Sequence, residues 1–176
     1  MTLVRLLQAA HAGERAAAVA YAGHAWSLRR EPDTAAWIRR LADDEWRHRA
    51  HLRVWLRQLG ARPSWWREAA FLAIGLSIAA ACPLIGRFLP MLGAGLIERA
   101  NSREYERLAA AAEGSALHRH LPRMRAMAGL ERLHEAGLRA QARRHPRAWA
   151  CATALCAWAE PTVCDDLLLA ELTGLA

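Results

Sequence analysis

Two tetrapeptides of one form, Glu45-Trp46-Arg47-His48 and Glu131-Arg132-Leu133-His134, stand far apart in a chain patterned for helix from end to end. Positions i and i+3 of a helix share a face, so each pair offers a carboxylate and an imidazole to one point in space. Glu14 and Glu98 occupy the middle of the other two long helical patterns. If these groups are buried, four helices must lie side by side with their polar residues turned to a common axis.

The apolar spacing says that they are buried. Ile38, Leu41, Glu45, His48, Leu52, Trp55 and Leu59 alternate by three and four, so the two polar residues interrupt an apolar seam. Leu117, His120, Met124, Met127, Glu131, His134 and Leu138 repeat the pattern. Met91, Ala94, Glu98, Asn101, Tyr105, Leu108 and Ala112 form a third stripe, and Leu3, Leu7, Ala10, Glu14, Ala17 and Tyr21 a fourth. The order Glu, Glu-x-x-His, Glu, Glu-x-x-His is that of ferritin-like di-iron and di-manganese carboxylate bundles. The fold expected is therefore all-α, a ferritin-like four-helix bundle.

Four carboxylates meeting inside a bundle repel one another, and each unpaired buried charge costs several kcal/mol. No arginine lies on the four stripes, so cations must come from outside. Two divalent metals bring four positive charges to four negative ones. Oxygen-rich ligands with one imidazole per metal suit iron first and manganese second; zinc more often takes His and Cys. The metal ligands expected are Glu14, Glu45, His48, Glu98, Glu131 and His134. His11, His24, His51, His118 and His145 are assigned to the surface or to the surroundings of the site, as is His120, three turns from Glu131. Asp43 or Asp44 can orient a ligand imidazole.

The length of 176 residues suits a single domain, residues 1–176, with a bundle core over about 2–144. The first helix is expected from Thr2 to Leu28, and the second from a cap at Asp33 or Thr34 to Leu59. Residues 65–97 are the most apolar part, with no charge from Ala69 to Gly86 and with Pro83 and Pro90 as breaks. This segment is read as an apolar helix lying in one membrane leaflet, Trp65 and Trp66 at headgroup level, with burial in the bundle and a single span as the alternatives. Helices from Met91 to Ala112 and Ala116 to Arg144 follow, then short C-terminal helices within 147–176, at Trp149–Ala159 and Val163–Leu172. No targeting segment is read at the N-terminus. Cys82, Cys151, Cys156 and Cys164 have no zinc-finger spacing and read as reduced thiols. All 24 basic residues are arginine and the net charge is +7, a surface that attracts anions. Without a nucleic-acid motif this fits an anionic membrane or solvent, and no nucleic-acid partner is expected.

The chain resembles the demethoxyubiquinone hydroxylase family, carboxylate-bridged di-iron monooxygenases of ubiquinone biosynthesis. The resemblance runs over about residues 10–140, through His11-Ala12-Gly13-Glu14, Tyr21-Ala22-Gly23, Asp44-Glu45, His48, Arg62-Pro63, Ile97-Glu98, Tyr105 and Glu131 to His134. It implies two iron ions held by the six residues above, with Glu45 and Glu131 bridging. It also implies membrane association of the apolar segment, and hydroxylation of a polyprenylated demethoxy-quinone with dioxygen and reducing equivalents. Tyr105, on the face of Glu98, is the candidate catalytic proton or hydrogen-bond donor. The location expected is the cytoplasmic face of a bacterial inner membrane, with a homo-oligomer or a biosynthetic complex left open. The chain departs from the family pattern at Arg99, often a second glutamate, at Glu104, often histidine, and around Leu130, where acids and histidines are reduced. The other functions weighed are a ferritin-like iron-oxidising or iron-binding protein, a di-iron oxidase of another prenylated aromatic, and a non-enzymatic helical membrane protein.

Overall fold

The computed structural model describes residues 2–158, and among them there is no strand. Six α-helices follow in order: α1 (Leu3–Ser27), α2 (Pro32–Gln58), α3 (Trp65–Ile85), α4 (Phe88–Ala112), α5 (Leu121–Arg143) and α6 (Pro146–Trp158). The expected helix Val163–Leu172 lies outside the described residues. Cys82 is buried and Cys151 exposed, both as free thiols. The other two cysteines fall outside the described side chains.

The helices pair as α1 with α2 and α4 with α5, and the pairs meet across the bundle axis. Two apolar clusters fill the interior. One holds Leu7, Leu52, Trp55, Leu56, Leu108 and Met124; the other holds Tyr21, Ile38, Leu41, Met91 and Leu138. Each of the four stripes passes from one cluster to the other with its glutamate between them. The polar groups thus sit in a layer closed above and below by hydrocarbon, where charge is poorly solvated.

Helix ends differ from expectation in instructive ways. Pro32 opens α2 with Glu31 before it, and neither Asp33 nor Thr34 caps the helix. Proline is at home there because the first-turn N–H groups lack partners anyway. For the same reason Pro90 does not delay α4, which begins at Phe88. Pro83 lies inside α3 rather than ending it. The stop is Gly86, whose φ of 79° is a backbone state open chiefly to glycine. The expected start of α5 at Ala116 is corrected as well. Residues His118–His120 form a 3₁₀ turn before Pro122 sets the helix in its first turn.

α3 packs on α1, and small residues let the backbones close. A Cβ on Gly23 would collide with Ala79, and one on Gly75 would stand 2.7 Å from the Ala16 carbonyl oxygen. The sequence of contacts, Gly13 to Phe71, Ala16 to Gly75, Gly23 to Ala79, makes α1 and α3 parallel. The outer face of α3 is bare. Its mean hydropathy is 1.9, yet only 11% of the apolar window is buried. Trp65 is 81% and Leu84 84% exposed. α3 itself is therefore not buried inside the bundle, whereas residues 88–97 of the expected segment open α4 and bury Pro90, Met91 and Gly95 in it.

At its start α3 is tied down by charge. Glu68 accepts from Arg49 Nη2 at 2.8 Å and lies 2.6 Å from His11 Nδ1, while Arg49 Nη1 donates to the His11 carbonyl at 2.8 Å. His11 is buried, not at the surface, and so is His24.

Candidate metal centre

The bundle brings all six sequence-derived residues together. Glu14, Glu45, His48 and Glu131 place one donor atom each within 4.8 Å of one another, and so do Glu45, Glu98, Glu131 and His134. The sets overlap in Glu45 and Glu131, the arrangement that bridging by these two carboxylates requires. Every one of the six is buried, with Glu45, Glu98 and Glu131 fully so.

Helical spacing explains the convergence. Glu45 and His48 occupy one face of α2, and Glu131 and His134 the matching face of α5. His48 Nδ1 approaches Glu131 to 2.8 Å, and His134 Nδ1 approaches Glu131 and Glu45 to 3.3 and 3.5 Å. Both imidazoles thus turn Nδ1 inward. On the far side of its ring, His134 Nε2 is 3.3 Å from Asp44 Oδ2, so of the two candidate aspartates Asp44 holds the ring.

Tyr105 donates to Glu14, and Tyr21 donates to Glu98. Each tyrosine lies seven residues after a glutamate on its own helix but serves the glutamate of the other helix. Tyr21 stood on the apolar stripe and reads in sequence as a core residue. Its shared spacing with Tyr105, Glu14 to Tyr21 and Glu98 to Tyr105, is the signal for its role.

The electrostatics of the protein alone are uneven. Burial, followed by repulsion from neighbouring carboxylates, pushes Glu14, Glu45 and Glu98 well above the usual carboxylate range. Burial pushes Glu131 the same way, but the His134 and His48 imidazoles beside it win and hold it down to about 2. Burial lowers His48, and the carboxylates of Glu131 and Glu14 more than reverse that. Tyr21 and Tyr105 are raised by burial and then by the glutamates, so both phenols keep their protons.

Donor chemistry and unmet hydrogen bonding fit a pair of cations. Both oxygens of Glu45 and of Glu131, Glu14 Oε2, and the Nδ1 atoms of His48 and His134 are buried without an aligned hydrogen bond. Native proteins seldom leave so many buried polar atoms unpaired in one place. All of them belong to residues of the two donor sets. The clusters can hold metal ions.

The positions that depart from the family pattern have partners of their own. Arg99 reaches Glu135 on α5 at 3.3 Å, and Glu104 is raised by burial against the opposing pull of Arg107 and Arg67. His120 sits against Trp55 and bonds Gln58 at 2.9 Å, away from the cluster.

Neither curated proteins nor solved structures give a significant match to the chain. A family model does, that of the ubiquinone biosynthesis protein COQ7, over residues 1–159. That stretch spans all five long helices and every residue of the buried donor sets, and with it the chain belongs to the COQ7 family of ubiquinone biosynthesis proteins, the demethoxyubiquinone hydroxylases.

Proposed function

We propose that the protein is a membrane-associated di-iron monooxygenase that hydroxylates the ring of a polyprenylated demethoxy-quinone in ubiquinone biosynthesis. The observation that carries this reading is the pair of overlapping buried donor sets sharing Glu45 and Glu131. Glu14 and His48 would hold one iron and Glu98 and His134 the other, with Glu45 and Glu131 available to both. Iron bound there would supply the activation of dioxygen.

The chain's own groups do the rest. Tyr105 fixes Glu14 through Oε1, leaving Oε2 unpaired, and keeps a proton beside the site, as Tyr21 does at Oε1 of Glu98. Asp44 sets the ring of His134, and the apolar clusters on either side exclude water. Proton delivery by Tyr105 makes it the catalytic residue of the reading.

α3 brings the substrate. A polyprenyl chain resides in the bilayer, and a bare apolar helix beside the bundle gives it a path to the site. α3 lies in one leaflet rather than crossing. It runs parallel to α1 in close contact, so crossing would pull Glu14 and Arg15 towards hydrocarbon, where charge is expensive. An arginine-rich surface of net charge +7 favours the anionic cytoplasmic face of a bacterial inner membrane.

The test is metal content of detergent-purified protein, followed by conversion of a demethoxy-quinol in vesicles under dioxygen with a chemical reductant. Two irons per chain and one added ring hydroxyl are expected. Two irons with iron oxidation but no quinone product would favour the iron-oxidising alternative. A chain that takes up no iron would remove both.

A further inference from the structure

The two halves of the site differ outside the six ligand positions. On α2 the order is Asp44-Glu45, and Asp44 meets His134 Nε2 across the bundle. On α5 the order is Leu130-Glu131, so by the same pseudo-twofold relation Leu130 stands where a carboxylate would meet His48. His48 Nε2 has no hydrogen bond among the described residues, although the residue is 4% exposed. A histidine whose Nδ1 serves a metal site ordinarily gives its other N–H to a carboxylate, carbonyl or water.

Instead of a partner there is a cleft. It has a volume of about 730 Å³, lies between α2 and α5, and has His48 in its wall together with Arg47, Arg123, Met127, Leu130 and Leu133. No residue of α3 lines it, so it is separate from the apolar route along that helix. Arg47 is paired with Asp44, and Arg132, also in the wall, is paired with Glu106. Arg123 makes no ion pair among the described residues. The cleft therefore combines an unopposed guanidinium, an imidazole without a partner at Nε2 and an apolar side, and the one carboxylate in its wall, Asp44, is committed to Arg47 and His134.

We propose that this cleft binds an organic carboxylate with an apolar body, its oxygens between Arg123 and His48 Nε2 and its hydrocarbon against Met127, Leu130 and Leu133. The bound carboxylate occupies for His48 the place that Asp44 holds for His134. Volume and lining favour a ring or short chain over a bare inorganic anion. The site rests on the surroundings of His48 and does not depend on which ring the enzyme hydroxylates.

Benzoate is the probe, with benzamide as the uncharged match and acetate as the match without the ring, titrated calorimetrically into metal-loaded protein in detergent. Benzoate should bind saturably and about tenfold or more tighter than either control, the scale of one charge-assisted hydrogen bond. Arg123→Ala should weaken it about tenfold on the same scale. Leu130→Asp, which supplies a carboxylate from α5 itself, should abolish it while iron content stays the same. Absence of saturable binding, equal binding of benzamide, or unchanged benzoate affinity in Arg123→Ala would each overturn the proposal. The arginine variant decides the matter even if Leu130→Asp does not fold. Binding with no turnover of any quinone would leave the cleft standing and strike only the proposed substrate.

Discussion

The α1–α2 half and the α4–α5 half present the same groups to the axis and treat their outer surfaces differently. Glu14 with Tyr21 is matched by Glu98 with Tyr105, and Glu45 with His48 by Glu131 with His134. Beyond these, the first half carries α3, the Glu68 clamp and Asp44. The second half carries Leu130 at the matching place. The groups that can hold two cations are duplicated, and the apolar helix, its clamp and the carboxylate beside the histidine are present once.

The largest effect expected is at the shared carboxylates. Glu45→Ala or Glu131→Ala should each abolish binding of two metals, because each removes a donor from both sets. Two tightly held irons in either variant, measured on the purified chain, would break the equivalence of the halves.

Metal removal comes next. Glu14, Glu45 and Glu98 have folded pKa values above the ordinary 4.5, so their contribution to stability is complete below about pH 4.5 and is lost as pH rises. Glu131 titrates the other way, but only between about 2 and 4.5. Metal-free protein should thus melt lower at pH 8 than at pH 5.5. Metal-loaded protein should show the gap widening with pH, since metal binding displaces those protons. Scanning calorimetry of both forms across that range reads it directly, and a metal-free form that gains stability with pH would contradict the burial of the cluster.

Smaller effects separate the halves. Asp44→Asn should cost about 10–100-fold in metal affinity through the loosened His134 ring. Leu130→Ala, at the matching position, should leave affinity nearly unchanged; equal losses would erase the asymmetry. Tyr21→Phe and Tyr105→Phe should each destabilise metal-free protein by about 1–3 kcal/mol, the scale of leaving a buried polar group without its partner. Similar melting shifts with a turnover defect confined to Tyr105→Phe would assign the reaction's proton to that side. Equal turnover in both variants would remove Tyr105 from the chemistry.

The donor set was legible in sequence because helical geometry makes i and i+3 neighbours without knowledge of the fold. Every stripe that crosses the axis has its glutamate buried as its period requires. The cross-bundle bonds were not legible. Whether Tyr21 meets Glu98, or Asp44 rather than Asp43 meets His134, depends on the register between helices, and a single helical pattern contains no register. His11 and Glu68 are 57 residues apart, and their contact follows from α3 lying parallel to α1. His24, buried without a carboxylate nearby, carries no sequence mark to distinguish it from a surface histidine; burial lowers it to about 4.

Prolines misled for a related reason. Pro83 and Pro90 mark places where a helix lacks one N–H donor, which is a break only if that donor was needed. Pro90 falls in a first turn, where it was not, and the chain turns three residues after Pro83 at Gly86.

α1 has no idle side. One face holds Glu14 and Tyr21 towards the axis, and the other lies so close to α3 that a Cβ at Gly23, or at Gly75 facing Ala16, has nowhere to go. A helix committed on both faces has little freedom to drift in sequence. It also cannot roll to accommodate change on one side without disturbing the other. The bare apolar helix α3 and the carboxylate on the axis thus form one mechanical piece, and change on either has to be accommodated by the outer surface of α3 and the second half of the bundle.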